Sequence, residues 1–495
     1  MYHRYNFEKQ HAKGKLHAIE RIYKIVDENS FHEIQSLIRT DCRDFGLDKL
    51  DIPYDGVIVG FGEVDGKQIG IYSQDFTIMG GSLGKQHGIK IANLIKLCIK
   101  ARCPVIGIND SGGARIQEGV HSLAGYGEIF YQNTKASGII PQISIIAGPC
   151  AGGAVYSPGL TDFVVVIDKV SNMFVTGPKV VKSVTNEDVT SDDLGGSTVH
   201  ATKSGVAHFR CKDEISAYVL VRKLLSIVPH NNNCTTGTKD STYEESQVNI
   251  DKILPPKSNQ AYDMHLIIHA LSDVNTFIEI QEEFARNVIV GLCRIKNIRI
   301  GIVASQPNYM AGVIDIDASD KIARFVRYCD AFNIPIVTLT DVPGFMPGLT
   351  QEARGIIRHG AKVLFAYSEA SVPKINIIIR KAYGGAYIAM SSKHLGADFV
   401  FAWPTAEIAV MGAEGAVEIL FSKELGSPKN TSLYEDKIKE YNSKFLSPAI
   451  AANYGYIDEV IQPMESRDVL YHALNLLSNK LEENSNYKKH GNIPL

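Results

Sequence analysis

The chain contains KIANLIKLC at residues 90–98 and KIARFVRYC at residues 321–329, two segments that lie 231 residues apart. Both segments carry apolar residues at intervals of three and four positions, so each predicts a helix with one buried face. The same separation of 231 residues joins GVIVG (56–60) to NVIVG (287–291). Chance matches would scatter in their offset, so a constant offset indicates an internal duplication.

The duplication extends toward the end of each copy, where AGGA (151–154) matches YGGA (383–386) at 232 residues. This period is far too long for a solenoid repeat, so each copy is expected to be a whole domain with its own core. A length of 495 residues agrees with two domains. We place these domains at 1–250 and 251–495, with the polar segment 230–247, which has no periodicity, as the linker.

Composition and charge exclude several classes of protein. With 45% hydrophobic residues, 21% charged residues and a net charge of −3, the chain has ordinary globular composition and no feature of a nucleic-acid partner. The eight Cys include no Cys-x-x-Cys pair and no H-E-x-x-H motif occurs, so we predict no metal site. The polar, basic N-terminus lacks an apolar secretion signal, and the uncharged stretches contain too much Pro and Gly for a membrane helix. We therefore predict a cytoplasmic protein with reduced thiols and no membrane insertion.

Within each copy, short apolar strands alternate with helices. In the first copy, strand 104–110 leads into a glycine turn, and strand 142–148 leads into PCAGGA (149–154), which opens a helix of small residues. The second copy repeats this order. The alternation predicts an α/β fold with a largely parallel sheet and functional loops at the strand ends. Residues 8–28 predict one amphipathic helix, and turns are predicted at Gly60–Gly62 and at Asp65–Gly66.

The side chains offer weak candidates for catalysis. No G-x-S-x-G motif occurs, and Ser111 has no His at a spacing that indicates a catalytic triad. Cys150 lies beside a glycine turn and could act as a thiolate, although Cys also packs well as a small buried group. Asp110 and Asp341 end equivalent strands, and we expect each to cap the N–H groups of its loop rather than act as a general base.

The glycine turns are stronger candidates. A strand that breaks into Gly-Gly and then opens a helix directs backbone N–H groups outward at the positive end of that helix. Such donors could cradle phosphate, although neither turn has the spacing of a P-loop, or could form an oxyanion hole for a carbonyl oxygen. Tight packing of helix on strand explains either turn equally well when it is taken alone. Recurrence at matching positions favours chemistry, and two oxyanion holes without a side-chain nucleophile predict enolate chemistry on two carbonyl ligands.

Longer motifs make the chain similar to one family. They are DSGGARIQEGV (110–120), IIPQISIIAGPCAGGAVYSPGLTDF (139–163), DASDKIARFVRYCDAFNIPIVTLTDVPGFMPG (317–348) and RKAYGGAYIAMSSKHLGAD (380–398). They resemble the carboxyltransferase (β) subunit of biotin-dependent acyl-CoA carboxylases, which includes propionyl-CoA carboxylase β, the large transcarboxylase subunit and methylmalonyl-CoA decarboxylase α. The likeness runs from KQHAKGKLHAIERI (9–22) to KKHGNIPL (488–495).

The resemblance implies an α/β fold of two tandem crotonase/ClpP-like domains, with acyl-CoA bound on the first and biotin on the second. It carries over two pairs of catalytic backbone donors, which are Gly152 and Gly153 in the first repeat and Gly385 and Ala386 in the second. One pair would hold the thioester oxygen and the other the ureido oxygen of biotin. Further ligand contacts are implied at Gly112, Gly113, Ala114 and Arg115 in the first domain and at Gly344, Phe345, Tyr387 and Ile388 in the second.

In the mechanism that the resemblance implies, carboxybiotin loses CO2, the ureido anion takes the α-proton of the acyl group, and the enolate attacks CO2. No A-M-K-M biotinylation site and no ATP-grasp loop occur, so biotin would come on a separate carrier and ATP chemistry from a biotin carboxylase chain. The chain itself would form a homo-oligomer, a hexamer. The chain departs from the family pattern at three positions. Ile19 replaces an Arg, so a contact of the N-terminal segment is expected to differ. Ile388 replaces an Asp and Glu414 a Lys, and these two changes leave the acyl preference open.

Three functions stay open at this point. The first is the carboxyltransferase component of an ATP-driven carboxylase that acts on a short-chain acyl-CoA, either propionyl-CoA or acetyl-CoA. The second is a methylmalonyl-CoA decarboxylase α subunit, which runs the same transfer in reverse for a membrane sodium pump. The third comes from another class and is a crotonase-like hydratase or a CoA-binding scaffold. The duplication disfavours it, because a simple crotonase needs one domain.

Overall fold

The computed structural model describes residues 5, 7–234, 242–425, 431–481 and 490–495. The chain forms two compact units, Met1–Cys234 and Thr235–Leu495. Each unit contains one eight-stranded sheet, and the second sheet repeats the strand order of the first, so the predicted duplication of an α/β domain is confirmed. The predicted division at residue 250 stays a prediction, because residues 235–241 of the predicted linker lie outside the described residues.

The first unit combines a mixed sheet with nine helices among its described residues. Its strands are β1 (His32–Ile34), β2 (Val57–Val64), β3 (Lys67–Gln74), β4 (Val105–Ser111), β5 (Gln142–Ala151), β6 (Phe163–Ile167), β7 (Asn172–Phe174) and β8 (Phe209–Cys211). Its helices are α1 (Glu8–His11), α2 (Ala18–Ile25), α3 (Lys85–Ala101), α4 (Val120–Ala136), α5 (Tyr156–Leu160), α6 (Pro178–Thr185), α7 (Ser191–Gly195), α8 (Ser197–Thr202) and α9 (Glu214–Ile227). The sheet order is β1-β2-β3-β4-β5-β6-β8, with β7 also on β5. Pairing is antiparallel from β1 to β3 and parallel from β3 onward.

The second unit follows the same plan. Its strands are β9 (Ile278–Ile280), β10 (Val288–Ile295), β11 (Ile298–Ser305), β12 (Ile336–Val342), β13 (Lys374–Tyr383), β14 (Phe399–Ala402), β15 (Glu407–Ala409) and β16 (Glu459–Val460). Its helices are α10 (Met264–Leu271), α11 (Ile316–Ala331), α12 (Leu349–Ala353), α13 (Ile356–Glu369), α14 (Gly384–Ala389), α15 (Ala413–Leu420), α16 (Ser422–Leu425), α17 (Thr431–Tyr441), α18 (Pro448–Asn453) and α19 (Ser466–Leu476). None of the helices described in either unit has both the length and the apolar composition that crossing a membrane requires.

The two segments that reveal the duplication are helices with the same buried face. In α3 and α11 the buried positions include Ile91, Leu94 and Cys98 and, at the matching places, Ile322, Phe325 and Cys329. A β-carbon on Gly70 would lie 2.1 Å from the sulfur of Cys98, and one on Gly301 would lie 2.5 Å from the sulfur of Cys329. Each unit thus packs its helix against a strand glycine in the same way, around a core of its own.

The turn predicted at Gly60–Gly62 is wrong, because both glycines lie inside β2. A β-carbon on Gly60 would lie 2.4 Å from the carbonyl oxygen of His32 and 2.6 Å from the ring of Phe31. Glycine is therefore required here by the close approach of β1, not by a change of chain direction. The turn predicted at Asp65–Gly66 is confirmed, because it joins β2 to β3 and both residues have positive φ angles.

The single helix predicted over 8–28 is also wrong, because two helices, α1 and α2, take its place. Gly14, with a φ of +68°, lies in the break between them. His17 then starts α2 as its N-cap, with its side chain accepting from the N–H of Ile19 and the side chain of Glu20 accepting from the N–H of His17. We call residues 8–25 the arm.

The arm is itself part of the duplication. DENSFHEI (27–34) matches DVNTFIEI (273–280) at a separation of 246 residues. The structure agrees, because β1 pairs Ile34 with Val59 and β9 pairs Ile280 with Val290 in the same antiparallel arrangement. The helix before each strand, α2 in one unit and α10 in the other, is therefore the same element. This part of the repeat has a different offset because the segment between β1 and β2 is longer than its counterpart between β9 and β10.

Candidate active site

The first glycine turn, Gly152–Val155, follows the end of β5 and runs directly into α5 as a 3-10 turn. Gly152 has a φ of +63°, which glycine adopts without steric cost. The first N–H groups of a helical segment have no acceptor within that segment, so the turn offers backbone donors at the strand end. A β-carbon on Gly153 would lie 3.0 Å from the ring of Tyr126, so this turn is tightly backed by α4.

The second glycine turn, 384–386, repeats this geometry at the end of β13. Gly384 has a φ of +58° and begins α14. A β-carbon on Gly384 would lie 3.2 Å from the carbonyl oxygen of Val410, and one on Gly152 would lie 3.8 Å from that of Val175. Val175 follows β7, which pairs with the end of β5, and Val410 follows β15, which pairs with the end of β13. The two turns are therefore the same element formed twice.

The backbone conformation shows that Gly152 corresponds to Gly384, because each is the glycine of its turn that has a positive φ angle. Gly153 then aligns with Gly385, and Ala386 aligns with Ala154. The predicted donor pairs, Gly152 with Gly153 and Gly385 with Ala386, thus begin one position apart in the two turns. Which two N–H groups of each turn face a ligand stays a prediction.

The residues predicted to contact ligand around the second turn lie on two elements. Gly344 and Phe345 follow β12, where the carbonyl of Gly344 accepts from the N–H of Ile314, and the Phe345 ring lies 3.9 Å from the place of a β-carbon on Gly385. Tyr387 and Ile388 lie on α14. Ile388 is 39% exposed, so its side chain is accessible to a ligand.

The residues predicted to contact ligand in the first unit, Gly112 to Arg115, form the loop after β4. The N–H of Gly112 donates to the carbonyl of Gly80 at 3.0 Å, the N–H of Gly113 donates to the Ser111 hydroxyl at 3.2 Å, and Ala114 bridges to Leu83. These bonds fix the loop beside the strand end. They also occupy the Gly112 and Gly113 donors.

The Arg115 side chain is buried and serves the fold. Its NH1 lies 2.5 Å from Asp55 Oδ1 and 2.8 Å from Glu118 Oε1, and its NH2 donates to the carbonyl of Ser82. Burial raises the pKa of Asp55, although Arg115 opposes that rise. A guanidinium held by two carboxylates has little capacity left for a ligand. The backbone N–H of Arg115 is occupied as well, because it donates to the carbonyl of Leu83 at 3.0 Å. The ligand contact implied at Arg115 stays a prediction.

Cys150 is a buried structural residue. Its thiol lies 3.2 Å from the carbonyl oxygen of Ala154, to which it donates across the first glycine turn. Burial raises the pKa of Cys150 well above its usual value, and the nearby carboxylate of Asp110 raises it further. The thiolate that nucleophilic catalysis needs is therefore not formed near neutral pH.

We expect Cys150→Ala to retain most of the enzyme activity, because no thiolate takes part. The measurement is kcat/KM of the purified variant against wild type, with Cys211→Ala as the matched control for removing a buried thiol elsewhere in the unit. A loss greater than about tenfold, equal to 1.4 kcal/mol, in Cys150→Ala alone would restore the nucleophile interpretation.

The loop-capping role predicted for Asp110 and Asp341 is wrong, because both carboxylates form buried ion pairs. Asp110 Oδ2 lies 2.9 Å from Arg21 NH1 and 2.6 Å from Lys15 Nζ, both of which belong to the arm. Asp341 Oδ2 lies 2.9 Å from Arg380 Nε, and its other oxygen accepts from a backbone N–H of the neighbouring strand β13. Burial raises the pKa of Asp341, which Arg380 opposes. A carboxylate that is buried at the end of a strand requires a paired cation, and this requirement outweighs the capping of the loop that follows.

Two histidines four positions apart on α10, His265 and His269, have the helical spacing of paired metal ligands. His265 Nδ1 lies 2.7 Å from Asp263, and its Nε2 lies 2.7 Å from Glu279. The hydrogen bond and charge of Glu279, with those of Asp263, raise the pKa of His265 to about 9 despite partial burial, so the ring is a cation near neutral pH. Within the part of the chain that the structure describes, no group of three His, Cys, Asp or Glu side chains could hold a metal ion.

Comparison with known proteins agrees with this architecture. Residues 9–493 match the model of the carboxyl transferase domain. The chain is 51% identical over 493 residues to methylmalonyl-CoA decarboxylase subunit alpha of Veillonella parvula, which covers 99% of this chain and 95% of that protein. It is 49% identical over 488 residues to the propionyl-CoA carboxylase beta chain of Roseobacter denitrificans, at 98% and 95% coverage. The crystal structure of transcarboxylase 12S with methylmalonyl-coenzyme A bound superposes with a TM-score of 0.95 at 46% identity, covering 99% of this chain and 94% of that one.

The fold and its two strand-end turns therefore define a carboxyltransferase enzyme. The chain belongs to the carboxyl transferase family. The prediction of an α/β fold with two tandem crotonase-like domains is confirmed by the full-length match to transcarboxylase 12S.

Proposed function

We propose that the chain transfers a carboxyl group between biotin, carried on a separate protein, and the α-carbon of a short-chain acyl-CoA, either propionyl-CoA or acetyl-CoA. The observation that carries the proposal is the repeated glycine turn, one for each ligand. Relatives named for propionyl-CoA carboxylation and for methylmalonyl-CoA decarboxylation are similar to the chain to nearly the same degree, 49% and 51%. Both reactions use this transfer, in opposite directions.

Each turn would stabilise one developing negative charge. Gly152 and Gly153 would donate to the thioester oxygen of the acyl-CoA, which becomes an enolate oxygen when the α-proton leaves. Gly385 and Ala386 would donate to the ureido oxygen of biotin. Backbone donors that are already oriented cost no reorganisation when the charge moves, and each is worth on the order of 3 kcal/mol of transition-state stabilisation.

The second turn has room for a biotin ureido group. Among the residues that the structure describes, and apart from its own helix and chain neighbours, the Phe345 ring at 3.9 Å is the one group within 4 Å of a β-carbon placed on Gly385, which favours the approach of an oxygen there. The start of α14 adds a partial positive charge that suits an oxygen anion. Bound there, biotin would supply the carboxyl group and accept the α-proton. The chain would then need no side-chain base, in keeping with a buried Cys150 and ion-paired Asp110 and Asp341.

Around these donors, further ligand contacts are proposed. In the first unit they come from the loop Gly112–Arg115, which the bonds to Gly80 and Leu83 hold at the end of β4. In the second unit they come from Gly344, Phe345 and the two α14 residues Tyr387 and Ile388. These residues would shape the walls of the two binding sites, and the turns would carry the chemistry.

The direction of transfer separates the two leading functions. We propose the carboxylase direction, with a biotin carboxyl carrier and a biotin carboxylase chain as partners. Decarboxylation of methylmalonyl-CoA is the second candidate, favoured by the similarity to the Veillonella parvula subunit. A neighbouring gene for an ATP-grasp biotin carboxylase supports the first, and one for a polytopic membrane subunit supports the second. We also propose a homo-oligomer, a hexamer, because the similar transcarboxylase 12S is described as a hexameric core.

The test is an assay with free biotin. Purified chain is incubated with propionyl-CoA, free biotin, ATP, bicarbonate and a separately purified biotin carboxylase, and methylmalonyl-CoA is measured. We expect product only when all components are present. In parallel, crotonyl-CoA hydration is followed without biotin, because a hydratase would give product there. Hydration without any carboxylation would contradict the proposal.

Ile388 offers a prediction about acyl preference. Carboxyl transfer requires the acyl α-carbon to reach the carboxyl group that biotin would bring to the second turn, so the acyl chain would lie beside Ile388 during the reaction. An apolar side chain there should accept acetyl-, propionyl- and butyryl-CoA with kcat/KM values within about a hundredfold, because one methylene is worth ~1–3 kcal/mol in such a pocket. Ile388→Asp should narrow the set of acyl-CoA substrates that the enzyme accepts. Leu476→Asp, which changes an exposed Leu of α19, is the matched control and should leave the profile unchanged. Identical profiles for wild type and Ile388→Asp would remove Ile388 from the acyl pocket.

A further inference from the structure

We infer that Arg21 of the arm is a positioning residue for the first glycine turn, so that the arm completes the acyl-CoA half of the active site. This inference rests on the proposed function of that turn. Arg21 is 0% exposed and lies on α2. Its guanidinium NH2 donates to the carbonyl of Ala147 on β5, its NH1 donates to Asp110 at the end of β4, and its Nε donates to Glu214 on α9, each at 2.9 Å.

These bonds join the two strand ends that carry the candidate site. Asp110 immediately precedes Ser111, which pairs with Cys150, and Cys150 lies two residues before Gly152. The carbonyl of Ala147 belongs to the same strand as the turn. One buried guanidinium therefore joins β4 at its penultimate residue, Asp110, to β5 at Ala147, four residues before that strand ends.

The second unit also places a guanidinium on the matching carboxylate. Asp341, which matches Asp110, is bound by Arg380 through Nε at 2.9 Å. Arg380 belongs to β13 itself, four residues before Gly384. The position of β5 that matches Arg380 is Gly148, four residues before Gly152. In the second unit the cation therefore lies on strand β13 itself, whereas in the first unit it lies on the arm.

The structure also shows why β5 cannot supply its own arginine. A β-carbon on Gly148 would lie 1.9 Å from Asp110 Oδ1 and 2.6 Å from Lys15 Nζ. Asp110 and Lys15 of the arm therefore leave no room for a side chain at this position. Lys15 itself lies 2.6 Å from Asp110 Oδ2, and the N–H of Leu16 donates to Glu214 at 3.1 Å. The arm is thus bound through Lys15, Leu16 and Arg21, and the two cations Lys15 and Arg21 balance the two carboxylates Asp110 and Glu214.

Arg21 acts through the turn because its buried guanidinium cannot reach a substrate. Without it, Lys15 is the one cation left in the cluster with the carboxylates of Asp110 and Glu214, and the carbonyl of Ala147 loses the Arg21 donor. The ends of β4 and β5 would then separate, and the N–H groups of Gly152 and Gly153 would no longer converge on the thioester oxygen. Misplacement of about 1 Å in a catalytic site lowers turnover on the order of a hundredfold.

The experiment uses the full-length protein and the transfer from methylmalonyl-CoA to free biotin, with propionyl-CoA as the measured product. Because Arg21→Met leaves an excess of buried negative charge, the decisive variant is the double substitution Arg21→Met with Asp110→Asn. It keeps Lys15 and Glu214 and so preserves the charge balance. The variant should remain folded, lose at least a hundredfold in kcat and show an increase of tenfold or more in KM for methylmalonyl-CoA, with KM for biotin unchanged within twofold. Arg21→Lys keeps the cation, so its kcat should be at least tenfold higher than that of Arg21→Met.

The matched control is Arg380→Met with Asp341→Asn, which removes the equivalent pair in the second unit. It should raise KM for biotin and leave KM for methylmalonyl-CoA unchanged. If the first double variant has wild-type kcat and both wild-type KM values, or if its KM for biotin alone increases, the positioning role of Arg21 is overturned. Absence of biotin-dependent transfer by the wild type would instead overturn the proposed function. The two failures are therefore distinguishable.

Discussion

Replacing Gly153 or Ala386 by Pro should lower turnover at least a hundredfold while the protein stays folded. Each substitution removes one backbone N–H, and the loss of a single oxyanion donor lowers kcat by about 10²–10³. Ala386→Pro is the decisive variant, because a β-carbon on Gly153 would also lie 3.0 Å from the Tyr126 ring. Both residues lie in the first turn of a helical segment, where Pro deletes no intrahelical hydrogen bond. The measurement is kcat for biotin-dependent carboxyl transfer, together with circular dichroism and the mass of the oligomer.

The control for this prediction keeps the donor. Ala386→Gly retains the N–H and should keep turnover within about threefold of wild type, because no ligand bond is lost. Near-normal turnover in both Pro variants, with secondary structure and oligomer intact, would contradict the oxyanion role of the two turns. Loss of turnover in Ala386→Gly equal to that in Ala386→Pro would contradict it as well.

Lys321→Met should lower the free energy of unfolding of the second unit by about 3 kcal/mol or more. Lys321 is 2% exposed, and its Nζ donates to the carbonyls of Gln281, Phe284 and Val288 at 2.8–2.9 Å. Burial lowers its pKa to about 8, so the ammonium is still mostly charged at pH 7. Methionine fills a similar volume but removes the ammonium that donates to three buried carbonyls, and the loss of each hydrogen bond to a charged group costs about 1–3 kcal/mol.

Thermal unfolding checks this prediction. For a unit of this size, a loss of about 3 kcal/mol corresponds to a decrease in Tm of roughly 6–12 °C. Lys439→Met is the control, because Lys439 has a side chain that is 77% exposed, and its Tm should stay within about 1 °C of wild type. A Tm for Lys321→Met equal to that of the control would show that the carbonyls find other donors.

The duplication and the order of elements could be predicted because both are local patterns that occur twice. The helices α3 and α11 and the strands β4, β5, β12 and β13 follow their apolar spacing. The errors come from contacts between distant residues. Gly60 looks like a turn residue but is required by the approach of β1, and the arm carries helical spacing through Gly14, where the chain breaks. Propensity cannot distinguish a glycine that turns the chain from one that makes room for another strand.

The two glycine turns could also be predicted, because strand, Gly-Gly and helix are contiguous in sequence. The partners of Asp110 could not, since Arg21 lies 89 residues earlier and nothing in the spacing joins them. A usable pattern did exist. The match of DENSFHEI (27–34) with DVNTFIEI (273–280) places the arm in the repeat, and Arg380 falls where the first copy has Gly148. A missing arginine beside a retained Asp110 indicates that the first copy must receive its cation from elsewhere.

The central claim is that the chain moves a carboxyl group between acyl-CoA and biotin with backbone donors and no side-chain nucleophile or base. Its most direct test is the rate at which the purified wild-type protein forms propionyl-CoA from methylmalonyl-CoA, measured across a range of free biotin concentrations. The account predicts a rate that is near zero without biotin, rises to saturation with biotin, and is lost in Ala386→Pro. Propionyl-CoA formation that does not depend on biotin, or no formation at any biotin concentration, would contradict it.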